Sequence, residues 1–153
     1  MINTSEVLVN LREYLAADNE LTTNLLLSQA GSPRIHIGPG YPSATTTRFL
    51  VLSVLSSNTN LSDTQVDITL IGVTVAVVRQ AGSSLDDRIA LGSIGARLDV
   101  LLNNKKVAAG SLSRDRVAMF TYDSSIEADE DTIGNATYLV SQIRYEVHSF
   151  TTS

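Results

Sequence analysis

At 153 residues, 43% of them apolar and 18% charged, the chain has the length and composition of one globular domain, 1–153, which excludes a predominantly disordered state. Five Tyr, three Phe and no Trp leave the core to aliphatic side chains, and the lack of cysteine excludes disulfides, thiolate catalysis and Cys-ligated zinc. The formal net charge is -5 and the 11 basic residues are scattered, which argues against the clustered Lys and Arg that gripping nucleic acid requires.

Over residues 5–17, Val7, Leu8, Leu11 and Leu15 recur at helical spacing, with Thr4 placed to cap the helix. Asp18 and Asn19 interrupt the pattern. Leu21, Leu25 and Leu26 then predict a second short helix that stops at Gly31-Ser32-Pro33. A short strand at 34–37 precedes Gly38-Pro39-Gly40-Tyr41-Pro42 and a small polar run, so a long loop is expected over 38–48. The first residues have neither a basic region nor an apolar run, so no secretory signal is expected. The triplets at Asn3, Asn60 and Asn135 then read as chance matches to the glycosylation motif. No segment approaches the roughly 20 apolar residues of a membrane span.

Two apolar strands follow. Residues 49–55 place Phe49, Val51 and Leu55 on one face and Leu50, Leu52 and Val54 on the other, so both faces want cover. Residues 66–79 are the strongest strand signal in the chain. Here Val66, Ile68 and Leu70 share one face and Ile71, Val73, Val75 and Val77 the opposite one. That predicts a bulge near Leu70, Ile71 and Gly72, or a strand covered on both sides. Such strands carry more apolar surface than one small domain buries with ease, which makes Ile71, Val73, Val75 and Val77 the candidate subunit interface.

A helix is predicted over 84–102, with Ser84 and Asp87 as a capping pair and Asp86 and Asp87 near the positive helix end. Leu91, Ile94, Leu98, Leu101 and Leu102 form its apolar face, and Asn103-Asn104 end it. Gly92 and Gly95 each cost such a helix about 1 kcal/mol relative to Ala, so close packing against a sheet is expected there. Lys105 to Gly110 reads as an edge segment protected by its lysines. Residues 117–126 and 138–150 are strands. The second alternates dry Leu139, Ile143, Tyr145 and Val147 with wet Gln142, Arg144, Glu146 and His148. Together the elements predict an α+β fold, a mixed or antiparallel sheet of about four main strands packed by an N-terminal helical segment and one central helix.

Chemical motifs are scarce. Gly38-Pro39-Gly40 lacks the third glycine and capped helix of a phosphate cradle, and His36 and His148, the only histidines, stand in no metal-ligating pair. No GxSxG elbow is present. The densest charge is at 123–131, where Asp123, Glu127, Asp129, Glu130 and Asp131 fall between two strands. A calcium loop of the EF-hand kind needs alternating acids around a central Gly, so this candidate acidic loop reads as a solvated hairpin tip. No catalytic, cofactor or metal site is expected. A metal- or ligand-binding domain built on that loop, and an enzyme whose site assembles only in space, stay open as alternatives.

The order of elements, with Val7-Leu8-Val9-Asn10-Leu11-Arg12 leading to Leu21-Thr22 and Arg34-Ile35-His36-Ile37, then Phe49-Leu50-Val51-Leu52 and a closing Tyr138-Leu139-Val140 to Tyr145-Glu146-Val147, resembles the tail terminator (tail completion) proteins of long-tailed bacteriophages. That resemblance covers most of the chain. It implies a structural virion protein assembled in the host cytoplasm and located at the neck. Such a subunit forms a homo-oligomeric, hexameric ring that caps the tail tube protein, ends its polymerisation and docks the head-completion or connector protein. It carries no functional residue over to this chain. An acidic subunit would let DNA pass through the ring without specific binding. Another neck component, a head-completion or adaptor protein, is the competing expectation. The segment at 39–48 and the acidic residues at 127–131 match no pattern in that family.

Overall fold

The structure is a computed structural model and describes residues 4–28, 34–38, 40–42, 47–60, 66–79, 84–108, 116–133 and 136–151. The elements follow in the order α1 (Thr4–Ala16), a π-helical turn (Glu20–Leu25), β1 (Ile35–Ile37), β2 (Phe49–Asn60), β3 (Val66–Val78), α2 (Ser84–Leu102), β4 (Lys105–Ala108), β5 (Arg116–Ile133) and β6 (Ala136–Thr151). The turn expected at 31–33, residues 39 and 43–46 of the expected loop and the end of the edge segment at 109–110 lie outside the described residues.

Six strands form one mixed sheet in the order β1-β2-β3-β6-β5-β4, with β1 parallel to β2 and every other pair antiparallel. The α+β class is as expected, but two short edge strands raise the strand number above four. Two strands also overrun their predicted ends. Ser57, Asn58, Thr59 and Asn60 continue β2 because their backbones pair with Thr69, Ile68, Asp67 and Val66, and ladder bonds are indifferent to side-chain polarity.

β3 pairs along its whole length with β6 and carries no bulge. The irregularity is on β2, between Val54 and Ser56, directly opposite Ile71 and Leu70. The extra residue, Leu55, folds toward Gly72, where an added Cβ would lie 2.9 Å from the Gln142 amide and 3.3 Å from Leu55 Cδ1. Gly72 therefore leaves room on the sheet surface for both neighbours. Asn104, at φ 58°, makes the left-handed turn from α2 into β4, a conformation that Asn adopts more readily than most residues.

Both helices lie on the same face of the sheet, α1 over β1 and β2 and α2 over β3 and β6. Val7, Leu8, Leu11 and Leu15 of α1 and Leu91, Ile94, Leu98 and Leu102 of α2 join Leu50, Leu52, Ile71, Val73, Val75, Ile143, Tyr145 and Val147 in one apolar core. On the opposite face Phe49, Val51, Ala76 and Tyr138 form a smaller cluster. Phe49 is its centre, meeting the rings of Tyr138, His36 and Tyr41 edge-on at 5.4, 5.9 and 6.2 Å.

Polar clamps hold the helical layer. Arg97 of α2 donates from Nε and Nη2 to the two carboxylate oxygens of Asp18 at 2.9 and 2.6 Å, and Asp18 also accepts the Leu21 amide at 2.9 Å. One carboxylate thus caps the π-helical turn and ties it to α2. At the other end of that turn, Arg48 and Arg34 donate to the carbonyls of Leu25 and Leu26 at 2.9 and 3.1 Å, satisfying groups that a helix end leaves unpaired. Tyr14 donates to the Leu101 carbonyl at 2.7 Å, joining α1 to α2.

The Arg97 guanidinium, helped by the Leu21 amide and opposed by burial, holds the Asp18 carboxyl below the usual carboxylate range. A lowered folded-state pKa means that the stabilisation is present above the unfolded value, near pH 4, and is lost as pH falls through the folded value. Asp18→Asn is expected to cost about 1–3 kcal/mol in urea unfolding at pH 7, the range for a charge-assisted bond. The gap to the wild type should narrow below about pH 4.

Candidate interaction surfaces

Ile71, Val73, Val75 and Val77, expected at a subunit interface, point toward the helices and are at most 1% exposed. The apolar rows of α1 and α2 need a complementary sheet face, and these four residues supply its centre. They are core, and their surface is not available to a neighbour. The other parity of β3 is the one left partly open, with Ile68 and Leu70 only half-buried.

The acidic residues Glu127, Asp129, Glu130 and Asp131 belong to β5 and not to a loop. Asp129, Glu130 and Asp131 pair with Val140, Leu139 and Tyr138, after an irregularity between Ile126 and Asp129. Charge did not stop the strand, because alternate side chains of an outlying strand end can reach water while the backbone pairs. Glu130 forms an ion pair with Arg79, which also stands 4.0 Å from Asp87 at the start of α2. Burial raises the Tyr41 pKa, and the Asp131 carboxylate that its hydroxyl meets raises it further. Two of the four acids therefore tether neighbouring elements to β5. Among the described residues no group of three or more His, Asp or Glu is placed to hold a metal ion.

The histidines are apart. His36 sits on β1 against Phe49, its pKa lowered by burial and by the Arg12 charge, whereas His148 lies on the wet face of β6, 2.8 Å from Glu146. Gln142 meets Thr74 at 3.5 Å and Arg144 at 3.0 Å on that same face.

One concavity was not foreseen. A cleft of about 620 Å³ runs along one flank of α2, between Arg88, Gly92, Gly95 and Asp99 on the helix and Tyr122, Ile126, Ser141 and Ile143 on the sheet. It exists because α2 lies chiefly over β3 and β6 and covers little of β5 beyond the buried Phe120, so that Tyr122 and Ile126 are 45% and 50% exposed. Close packing explains one helix glycine only. A Cβ at Gly95 would touch Ile143 at 3.4 Å, whereas Gly92 has nothing within 4 Å. Beside the cleft, the Tyr145 hydroxyl is buried without a hydrogen-bond partner among the described residues, and burial, Asp99 and Tyr122 all push its pKa up. Further apolar side chains stand exposed on the outer side of α2, namely Leu85, Ile89 and Val100. Among the described residues no helix is long and apolar enough to cross a membrane.

This architecture defines a class, an α+β domain whose six-stranded mixed sheet carries, among the described residues, helices on one face only. No protein-family model matches the chain, and no curated protein does. Solved structures do match. A chain from the virion of a native gene transfer agent particle superposes with a TM-score of 0.58 over 95% of this chain and 96% of its own, at 13% identity. A second solved structure reaches 0.55 over 96% of both chains, at 16% identity. At these identities the likeness is one of fold.

Val73→Asp or Val75→Asp is expected to abolish cooperative thermal unfolding, because an unpaired buried charge costs several kcal/mol. Ile126→Asp, on an exposed site, should stay within about 0.5 kcal/mol of the wild type. Tyr145→Phe removes an unsatisfied buried hydroxyl and is expected to leave stability unchanged or raise it, by about 1 kcal/mol in the same assay.

Proposed function

We propose that this chain is a structural subunit of a phage-like virion, placed at the junction of head and tail. There it forms a ring that caps the tail tube, ends its polymerisation and joins tail to head. One observation carries the proposal, the sharing of the whole fold, over 95% of the chain, with a chain of a gene transfer agent virion. The surfaces agree with an assembly role. The cleft beside α2 and the exposed Tyr122 and Ile126 offer a groove for a neighbouring subunit, in the heterologous, ring-closing manner that gives closed symmetry. In this reading Ile71, Val73, Val75 and Val77 stabilise the subunit and the contacts to the tail tube and connector proteins are made elsewhere. The net charge of -5 would keep DNA from adhering as it passes.

A second neck role, as a head-completion or adaptor subunit, fits the same fold and differs in position. Particles assembled without the chain separate the readings in electron micrographs. Loss of a terminator leaves headless tails of uncontrolled length, whereas loss of an adaptor leaves tails of normal length beside unjoined heads. Intact, infectious or transfer-competent particles would refute both.

A further inference from the structure

Helix α2 is apolar on two opposite sides. Leu91, Ile94, Leu98 and Leu102 lie on the buried side. At about 100° per residue, Leu85, Ile89, Ala96 and Val100 form a second row on the opposite side. All four are exposed, Leu85 by 70% and Ile89 and Val100 by 58%. Nothing in the described chain covers Gly92, which sits in the same row.

This outer row is symmetric about the bond between Gly92 and Ser93. Leu85 and Val100 are equally far from that point, and so are Ile89 and Ala96. The flanks carry charge in matching order. Arg88 and Asp99 stand on the cleft side of the row, and Asp86 and Arg97 on the side toward Asp18. If the helix is laid antiparallel against a copy of itself, Leu85 meets Val100 of the second copy, Ile89 meets its Ala96, and the two small centres face each other. On the cleft flank, Arg88 comes within about 3 Å along the axis of Asp99 of the second copy, and Asp86 within the same offset of its Arg97 on the other flank. Both contacts occur twice. A parallel pairing would set the two helix dipoles side by side in the same direction, which the antiparallel arrangement avoids. Among the described residues, neither Arg88 nor Asp99 forms an ion pair within its own chain.

We propose that a second copy of this chain docks along the outer row of α2, antiparallel and in register about Gly92 and Ser93. The contact is isologous and does not rest on the virion reading, and it shares Arg88, Gly92 and Asp99 with the rim of the cleft. Its length, about 24 Å for 16 helical residues, gives an area below the roughly 800 Å² per partner of a standard interface. Association is therefore expected to be weak in free solution and effective where subunits are concentrated.

The chain has no cysteine, so single cysteines report the register directly. Ser93→Cys, next to the two-fold axis, is expected to give a disulfide-linked dimer on mild oxidation. Leu85→Cys and Val100→Cys should each stay monomeric alone, because each lies roughly 22 Å along the axis from its own copy, and should cross-link when mixed. In sedimentation equilibrium, Ile89→Asp should abolish the dimer while circular dichroism shows an intact fold. Arg88→Glu should weaken it at least tenfold, and Arg88→Glu with Asp99→Arg should restore it. Self-linking of Leu85→Cys as readily as the mixture, a double reversal no better than the single, or a folded wild type that stays monomeric at millimolar concentration would each overturn the proposal.

Discussion

β5 and β6 are 18 and 16 residues long, which makes them about 50–60 Å at 3.3 Å per residue, whereas the 19 residues of α2 span only about 28 Å. That mismatch shapes the rest of the molecule. A helical layer of this size can dry only the middle of one sheet face, over β2, β3 and β6. Beyond it, most of β5 has no helix above it and the cleft opens where the flank of α2 ends. The opposite face stays soluble by a different device. Its uncovered stretch carries Thr74, Gln142, Arg144, Glu146 and His148, and its apolar residues gather at one end around Phe49 and Tyr138.

A short helical layer on a long sheet must also be prevented from sliding and rolling, and apolar packing is poor at that because it is non-directional. The Asp18 carboxylate supplies direction. By accepting both Arg97 donors and the Leu21 amide, it fixes the rotation of α2 about its own axis as well as its distance from the π-helical turn. Tyr14, bonded to the Leu101 carbonyl, fixes its position along that axis. With α2 so held, Arg88, Gly92, Gly95 and Asp99 must line the cleft and Leu85, Ile89, Ala96 and Val100 must face water.

Much of this was legible in the chain. Helical spacing located α1 and α2 and alternation located β6, because burial on one side leaves a period in the residues, while continuous apolar, β-branched runs located β2 and β3. The two apolar parities of β3 were legible too, but their assignment was not. Ile71, Val73, Val75 and Val77 lie beneath the helices, a fact set by the right pairing of rows that are far apart in sequence. A bulge on β3, or cover on both its faces, was expected; β3 is buried on both parities from Ile71 to Val77, and the bulge sits on β2, since a register shift belongs to a pair of strands and either member can absorb it. The acids at 127–131 hid the far half of β5, because charge reports contact with water and a strand end can have that while fully paired. The cleft had no local signal at all. It arises from the difference between two element lengths.

The surplus apolar surface apparent in the composition is real, but it sits elsewhere than on β3. It lies on the outer row of α2 and on Tyr122 and Ile126 of β5, places where about half or more of each large side chain is left in water. A Leu, Ile or Val moved from water into a contact gains roughly 1.5–3 kcal/mol, so these exposed residues hold a driving force that only association can release. In the proposed assembly, folding and association would draw on separate sets of side chains, the inner rows of α1 and α2 for one and the outer row of α2 with β5 for the other. A change in the second set can alter the partner without threatening the subunit.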